Sequence, residues 1–122
     1  MMNQQLPEAT DLLFQAIRAH VELFNESVGT GSWDRFVESL HNDPRMTFEP
    51  IPVSPFIGRY AIATAYREMP PTDTMSISSV DVLEADTVSA RFAWDTSGDT
   101  GELRVSGRDD RVTAIEVIFD AP

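Results

Sequence analysis

The spacing of apolar residues changes part-way along the chain, from a helical period near the start to alternation in the second half. Leu13, Ile17, His20 and Phe24 recur at four-, three- and four-residue steps, with Ala16 and Leu23 beside them. That stripe predicts an amphipathic helix over Asp11 to Ser27, broken by Gly29, Thr30 and Gly31. Ser32 can cap a short second helix, and Asp34 in its first turn suits the helix dipole. Phe36, Val37 and Leu40 give that helix a buried side, and His41, Asn42, Asp43 and Pro44 mark its end as a polar, exposed turn. Arg45 to Glu49 reads as a first strand, stopped by Pro50, which has no N–H for a ladder. Ile51 to Phe56 is an irregular connector. Gly58 then leads into a third helix over Arg59 to Tyr66, closed by Pro70 and Pro71.

The rest of the chain has strand character. Met75 to Glu84, Thr87 to Asp95, Gly101 to Ser106 and Arg111 to Phe119 are rich in branched and aromatic residues. Ala85-Asp86, Thr96 to Thr100 and Gly107 to Asp110 separate them as hairpin turns. Three helices followed by a run of hairpins predict a single α+β domain over residues 1–122 with a mainly antiparallel sheet. In the last strand Ile115, Val117 and Phe119 are apolar on one face, and Ala114 and Ile118 on the other. A strand apolar on both sides is covered on both sides, which predicts a helix on one face and a second copy of the chain on the other, a homodimer through the sheet.

Composition narrows the partners. The formal net charge is −11. Such a field repels phosphate backbones and anionic bilayers, so neither nucleic acid nor a membrane is expected as a partner. The 42% of hydrophobic residues is enough for a real core. There is no cysteine, which removes disulfides, thiolate nucleophiles and cysteine zinc sites and suits a reducing cytoplasm. The stretch Met1 to Thr10 is polar and lacks a leader pattern, and no apolar run approaches a membrane span, so a cytoplasmic location is expected. Two histidines far apart, with no H-x-H or H-E-x-x-H spacing, give no metal signal. Phosphate-loop, dinucleotide and nucleophile-elbow patterns are missing as well, so no cofactor is expected. Asp109-Asp110 in a turn reads as a solvated pair.

Two stretches carry a family resemblance. Met46-Thr47-Phe48-Glu49-Pro50 is similar to a strand that ends in an acid before proline. Gly58-Arg59-Tyr60-Ala61-Ile62-Ala63-Thr64-Ala65-Tyr66 is similar to a G-x-x-A-I-x-x-x-Y third helix. With the order of elements they resemble the superfamily of ketosteroid isomerases, SnoaL-like polyketide cyclases, limonene epoxide hydrolase-type enzymes and nuclear transport factor 2. The resemblance covers nearly the whole chain. It implies a cone-shaped α+β barrel: a curved, mainly antiparallel sheet with three helices from the N-terminal half, enclosing a mostly apolar pocket. Fold alone licenses no reaction, because this superfamily hosts several chemistries and many proteins without any.

By the resemblance, Glu49 stands where the isomerases keep the acid that carries a proton between two carbons, although those enzymes usually have Asp there. A carboxylate in an apolar pocket has its charged form disfavoured, which raises its pKa toward that of a useful base. His20, inward on the first helix, is similar in position to an oxyanion-hole tyrosine when the helices are aligned through Asn25. A neutral imidazole can donate one hydrogen bond to a developing enolate. Glu102 falls where the isomerases place a protonated acid that donates to the same oxyanion. A one-residue slip would put Leu103 in the pocket instead, and the apolar pair Leu103 and Val105 favours the slip. Ile17, Phe24, Tyr60, Tyr66, Phe92, Trp94 and Phe119 are the expected substrate-binding wall. The implied activity is cofactor-independent proton transfer on a hydrophobic carbonyl compound. The alternatives are a non-catalytic small-molecule binding or dimerisation module and a polyketide cyclase or epoxide hydrolase-type enzyme. The last ranks lower, because alternation places Arg91 outside.

Overall fold

A computed structural model describes residues 5–50, 55–108 and 111–121, with side chains from residue 12 on. The expected Asp109-Asp110 pair and most of the connector after Pro50 lie outside the described residues. Helix α1 spans Gln5–Thr30 and α2 spans Asp34–Glu38. They are followed by β1 (Leu40–Glu49), a short β2 (Phe56–Ile57), α3 (Arg59–Glu68), β3 (Met75–Glu84), β4 (Thr87–Trp94), β5 (Thr100–Arg108) and β6 (Arg111–Phe119).

Helix α1 buries the centre of the expected stripe, with Leu13 and Leu23 half-buried and Ala16 exposed. Ile17, His20, Val21 and Phe24 are all buried, and Ser27 joins them by turning its hydroxyl back to donate to the Leu23 carbonyl at 2.8 Å. Gly31 ends the helix at φ +79°, with its N–H donated to the Ser27 carbonyl at 2.8 Å. This left-handed closure favours glycine. Helix α2 differs from expectation at its start. Trp33, not Ser32, precedes it, and no side chain caps it. The indole is instead stacked on the Tyr66 ring at 4.3 Å, 3° from parallel, so packing positions this turn where a cap was expected. Strand β1 also begins earlier than expected, at Leu40. The Val112 N–H donates to the Ser39 carbonyl at 3.0 Å and draws the start of the strand onto β6, with a register shift before Arg45. His41 is therefore half-buried in a strand, not exposed in a turn.

The six strands form one sheet in the order β2-β1-β6-β5-β4-β3. Only the β1–β6 pair is parallel. The sheet is curved but stays open, with β2 and β3 as free edges, so it is an α+β cone and not a closed barrel. Its register settles which residues face the helices. Val105 lies opposite Ile115, Leu103 opposite Val117, and Ala90 opposite Leu103. These side chains, with Met46 and Phe92, are buried against α1, α2 and α3. The opposite, outer face carries Arg45, Thr47, Glu49, Arg91, Glu102, Arg104 and Glu116. Asn25 ties α1 to the sheet. Its side-chain amide donates to the Met75 carbonyl and accepts from the Met75 N–H, each at 2.9 Å.

Candidate functional site: a cavity inside the cone

A cavity of about 230 Å³ lies between the inner face of the sheet and the helices. Four residues of the expected wall line it: Phe24 from α1, Tyr66 from α3, Trp94 from β4 and Phe119 from β6. The strands add Phe48, Leu103, Ile115 and Val117, and Met75 joins them from the start of β3. Leu103 had been singled out as the alternative to Glu102, while the others follow from alternation alone. Met46 and Phe48 share one face of β1, as Ile115, Val117 and Phe119 share one face of β6. Met69 and Pro71 border the cavity from the segment after α3.

His20 also lines it, at 5% exposure. Its ring sits 5.0 Å from that of Phe36, and its Nδ1 has no hydrogen-bond partner among the described residues. Burial penalises the imidazolium and pushes the pKa down to about 4, so the ring is neutral at neutral pH. Tyr66 is another polar side chain of the wall, beside the Trp94 indole. Its hydroxyl donates to the Met46 Sδ at 3.3 Å, and burial raises its pKa. Among the described residues no side chain that is ionised at neutral pH lines the cavity.

The two acids expected beside His20 are elsewhere. Because Met46 and Phe48 point inward, Glu49 shares the outward parity of Thr47, and it is exposed, in a shallow groove with Arg45, Thr47 and Glu116. Glu102 is on the outer face of β5, one position from the inward Leu103, which is 2% exposed. There it accepts from the Ser89 hydroxyl at 2.6 Å and from Arg104 Nε at 2.7 Å. The Arg104 guanidinium first, and the Ser89 hydroxyl second, hold its carboxyl below the usual range. Arg104 also approaches Glu116 at 3.6 Å. Glu116 is shifted upward by partial burial and by a hydrogen bond with the Glu49 carboxyl. Glu49 and Glu102 thus belong to an outer-face charge network, separated from His20 by the sheet.

Three residues of the expected wall are also elsewhere. Tyr60 is 79% exposed at the start of α3. Ile17 is fully buried and borders a separate, more open groove of about 570 Å³ between α1 and the β3–β4 and β5–β6 turns, which His20 also touches. Phe92 is core: its ring packs edge-on against Trp94 at 5.3 Å and fills the space over Gly101. Arg91 is outside, as alternation predicted, and pairs with Asp120. Among the described residues no group of three His, Cys, Asp or Glu could hold a metal ion.

The chemistry of the cavity follows from its wall. Aromatic and branched side chains favour an apolar occupant, and the neutral imidazole can exchange one hydrogen bond with it. A ring with a pKa near 4 is a weak base at neutral pH. Among the described residues the wall contains no carboxylate positioned to take a proton from an occupant.

The fold resembles that of solved nuclear transport factor 2-like proteins. A nuclear transport factor 2-like protein from Anabaena variabilis superposes with a TM-score of 0.68 at 19% identity, over 89% of this chain and 90% of that one. SalBIII, an epoxide hydrolase/cyclase-like enzyme of pyran ring formation in the polyether salinomycin, gives 0.70 at 13% identity, over 98% and 95%. A de novo designed protein with a curved β-sheet gives 0.64 at 20% identity, over 87% and 86%. At these identities the likeness is one of fold. No protein-family profile matches the chain, and no curated protein does. Among the described residues no helix is long and apolar enough to cross a membrane.

Proposed function

We propose that this chain binds a hydrophobic small molecule in the cavity of its cone, without using a carboxylate to move protons on it. The observation that supports this reading is the segregation of charge: the polar groups of the inner wall, His20 among them, are neutral, while Glu49 and Glu102 sit on the outer face. Trp94 lines the cavity and offers the readout. Occupancy by an apolar compound is expected to change tryptophan emission saturably and to raise the melting temperature. A panel of apolar compounds that leaves both unchanged would refute the reading.

A second reading is cofactor-independent isomerase or cyclase chemistry on a hydrophobic carbonyl compound. Its support is the neutral imidazole at the cavity, able to donate to a developing enolate, and a fold shared with an epoxide hydrolase/cyclase-like enzyme. In this reading His20 stabilises the oxyanion, and Glu49 and Glu102, the base and second donor implied by the resemblance, must reach the substrate. Turnover of a β,γ-unsaturated ketone by the wild type, Glu49→Gln and His20→Leu discriminates. Equal rates in wild type and Glu49→Gln remove Glu49 as the base, and no turnover by the wild type leaves the binding reading alone.

We also propose that the outer face of the sheet pairs with a second copy. Ala114 and Ile118 lie half-buried on that face, and a partner would cover them. A strictly monomeric mass at micromolar concentration would end this proposal.

A further inference from the structure

We infer that the cone cavity selects uncharged molecules of about one ring, carrying a single hydroxyl or carbonyl oxygen, and that His20 is the residue that recognises the oxygen. The inference rests on the binding reading above and adds the ligand class to it.

Size comes first. The cavity of about 230 Å³ is below the ~300–1,000 Å³ of sites that enclose drug-sized ligands, and above the ~150 Å³ that suffices for benzene in an apolar protein cavity. A six-membered ring with one or two short substituents fits between these limits. A fused tetracyclic skeleton does not, because the walls that bound it are packed strand residues. Leu103, Ile115 and Val117 are 2%, 2% and 6% exposed, and such positions yield only at a cost.

Charge comes second. An ionised ligand head would lose its hydration among aromatic and branched side chains and meet no cation among the described residues there. His20 cannot supply one at neutral pH, since its burial disfavours the imidazolium. The chain's net charge of −11 adds a weaker repulsion against anions approaching from solution.

The oxygen comes third. Of the polar side chains in the wall, the Tyr66 hydroxyl is already donated to Met46, and the Trp94 indole offers a donor but no acceptor. His20 lines the cavity, and neither ring nitrogen has a hydrogen-bond partner among the described residues; its Nδ1 is sealed from open space, so the Nε2 edge is the one a ligand can reach. A buried polar group without a partner is unfavourable, and a partner from the ligand relieves this. A neutral imidazole has one donor and one acceptor, so either a hydroxyl or a carbonyl serves. A pure hydrocarbon leaves the ring unsatisfied.

The test uses four probes that differ one property at a time: para-isopropylbenzyl alcohol, para-isopropyltoluene, para-isopropylbenzoate and progesterone. Binding is read at neutral pH by calorimetry and by tryptophan emission. The alcohol is expected to bind about tenfold more tightly than the hydrocarbon, for one hydrogen bond of about 1.4 kcal/mol. The carboxylate is expected to bind at least tenfold more weakly than the alcohol, and the steroid not at all. His20→Leu should bring alcohol and hydrocarbon level, while His20→Gln, which keeps a donor and an acceptor, should restore the preference. Leu103→Ala, or the milder Ile115→Val if the first does not fold, should loosen the size limit. If no probe binds, the binding reading itself falls. If the single-ring probes bind but alcohol, hydrocarbon and carboxylate do so equally, or the steroid binds the wild type, the cavity stands and the selectivity inferred here is overturned.

Discussion

Protonation of His20 should couple the fold to pH. In the unfolded chain a histidine titrates near 6.5, whereas here burial pushes its pKa down to about 4. Above the unfolded value both states are neutral and the group has no effect on stability. As pH falls from about 6.5 the unfolded state takes up a proton that the native state refuses, so stability is lost until the native ring also protonates near 4. At ~1.4 kcal/mol per pKa unit the loss is roughly 2 kcal/mol by about pH 5, and about 3 in full. The carboxyls with lowered values, among them Glu102, Asp95 and Asp120, lose their contributions at lower pH. Glu116, shifted upward, works in the opposite sense. Both effects are common to wild type and variant and cancel in the comparison. Urea unfolding at about pH 7.5 and pH 5 should therefore show wild type losing roughly 2 kcal/mol more than His20→Leu between the two. Parallel losses in the two proteins, or an imidazole titrating near 6.5 by NMR, would refute the reasoning.

Other outcomes follow from packing and from the outer network. Asn25→Ala leaves both polar groups of the Met75 backbone without the amide that satisfies them, and should cost about 2 kcal/mol by chemical denaturation, two hydrogen bonds at ~1 each. Asn25→Asp, which keeps the acceptor for the N–H, should cost less. In Gly101→Ala the new Cβ would lie 2.6 Å from the Ile118 carbonyl oxygen and 2.8 Å from the Phe92 ring. A backbone oxygen cannot swing aside, so a loss of about 1–3 kcal/mol is expected, and an unchanged melting temperature would contradict the close approach of β5 to β6. Glu49→Gln should lower the titration of the Glu116 carboxyl, because one cause of its upward shift is a hydrogen bond with the Glu49 carboxyl. The same variant should bind cavity ligands as the wild type does, since Glu49 is outside.

Much of the fold was legible because period is a strong signal. The four hairpin strands were readable to within two residues at each end, since branched and aromatic runs are bounded by turn residues. The start of β1 was not, because pairing of Leu40 with β6 is a long-range contact that no local pattern reports. At the site, His20, Phe24 and Trp94 were readable from their periodicity, and Tyr66 and Phe119 through the resemblance. Tyr60 was not: it precedes the buried Ile62 and Tyr66 on α3 at spacings that leave it on the solvent side. For Glu49 and Glu102 the information was present in the alternation of Met46 with Phe48 and of Leu103 with Val105. The position of the acid before Pro50 outweighed it, although parity governs direction and motif position does not.

That parity is also the most direct lever on the chemistry. Phe48 occupies an inward place on β1, and Glu49 after it has the other parity, so the fold holds a carboxylate one residue from the cavity and aims it outward. Phe48→Asp moves a carboxyl to the inner wall. There it would stand among Phe119, whose ring is stacked 6.4 Å from that of Phe48, Val117 and Ile115, with no cation among the described residues that line the cavity. Desolvation without a compensating charge raises a carboxyl pKa, and about one to two units are expected for a half-buried position. The sign for stability is the reverse of that for His20. The raised native value means the ionised state is penalised at neutral pH, so the variant should be less stable than wild type by a few kcal/mol near pH 7.5, from the lost ring and the buried charge together. It should recover roughly 0.3–1.2 kcal/mol of this as pH falls to about 5. NMR titration of the introduced carboxyl decides the matter. A value near that of a free aspartate would mean that the position faces water, and the inward direction of β1's apolar residues, on which the separation of Glu49 from His20 depends, would then be wrong.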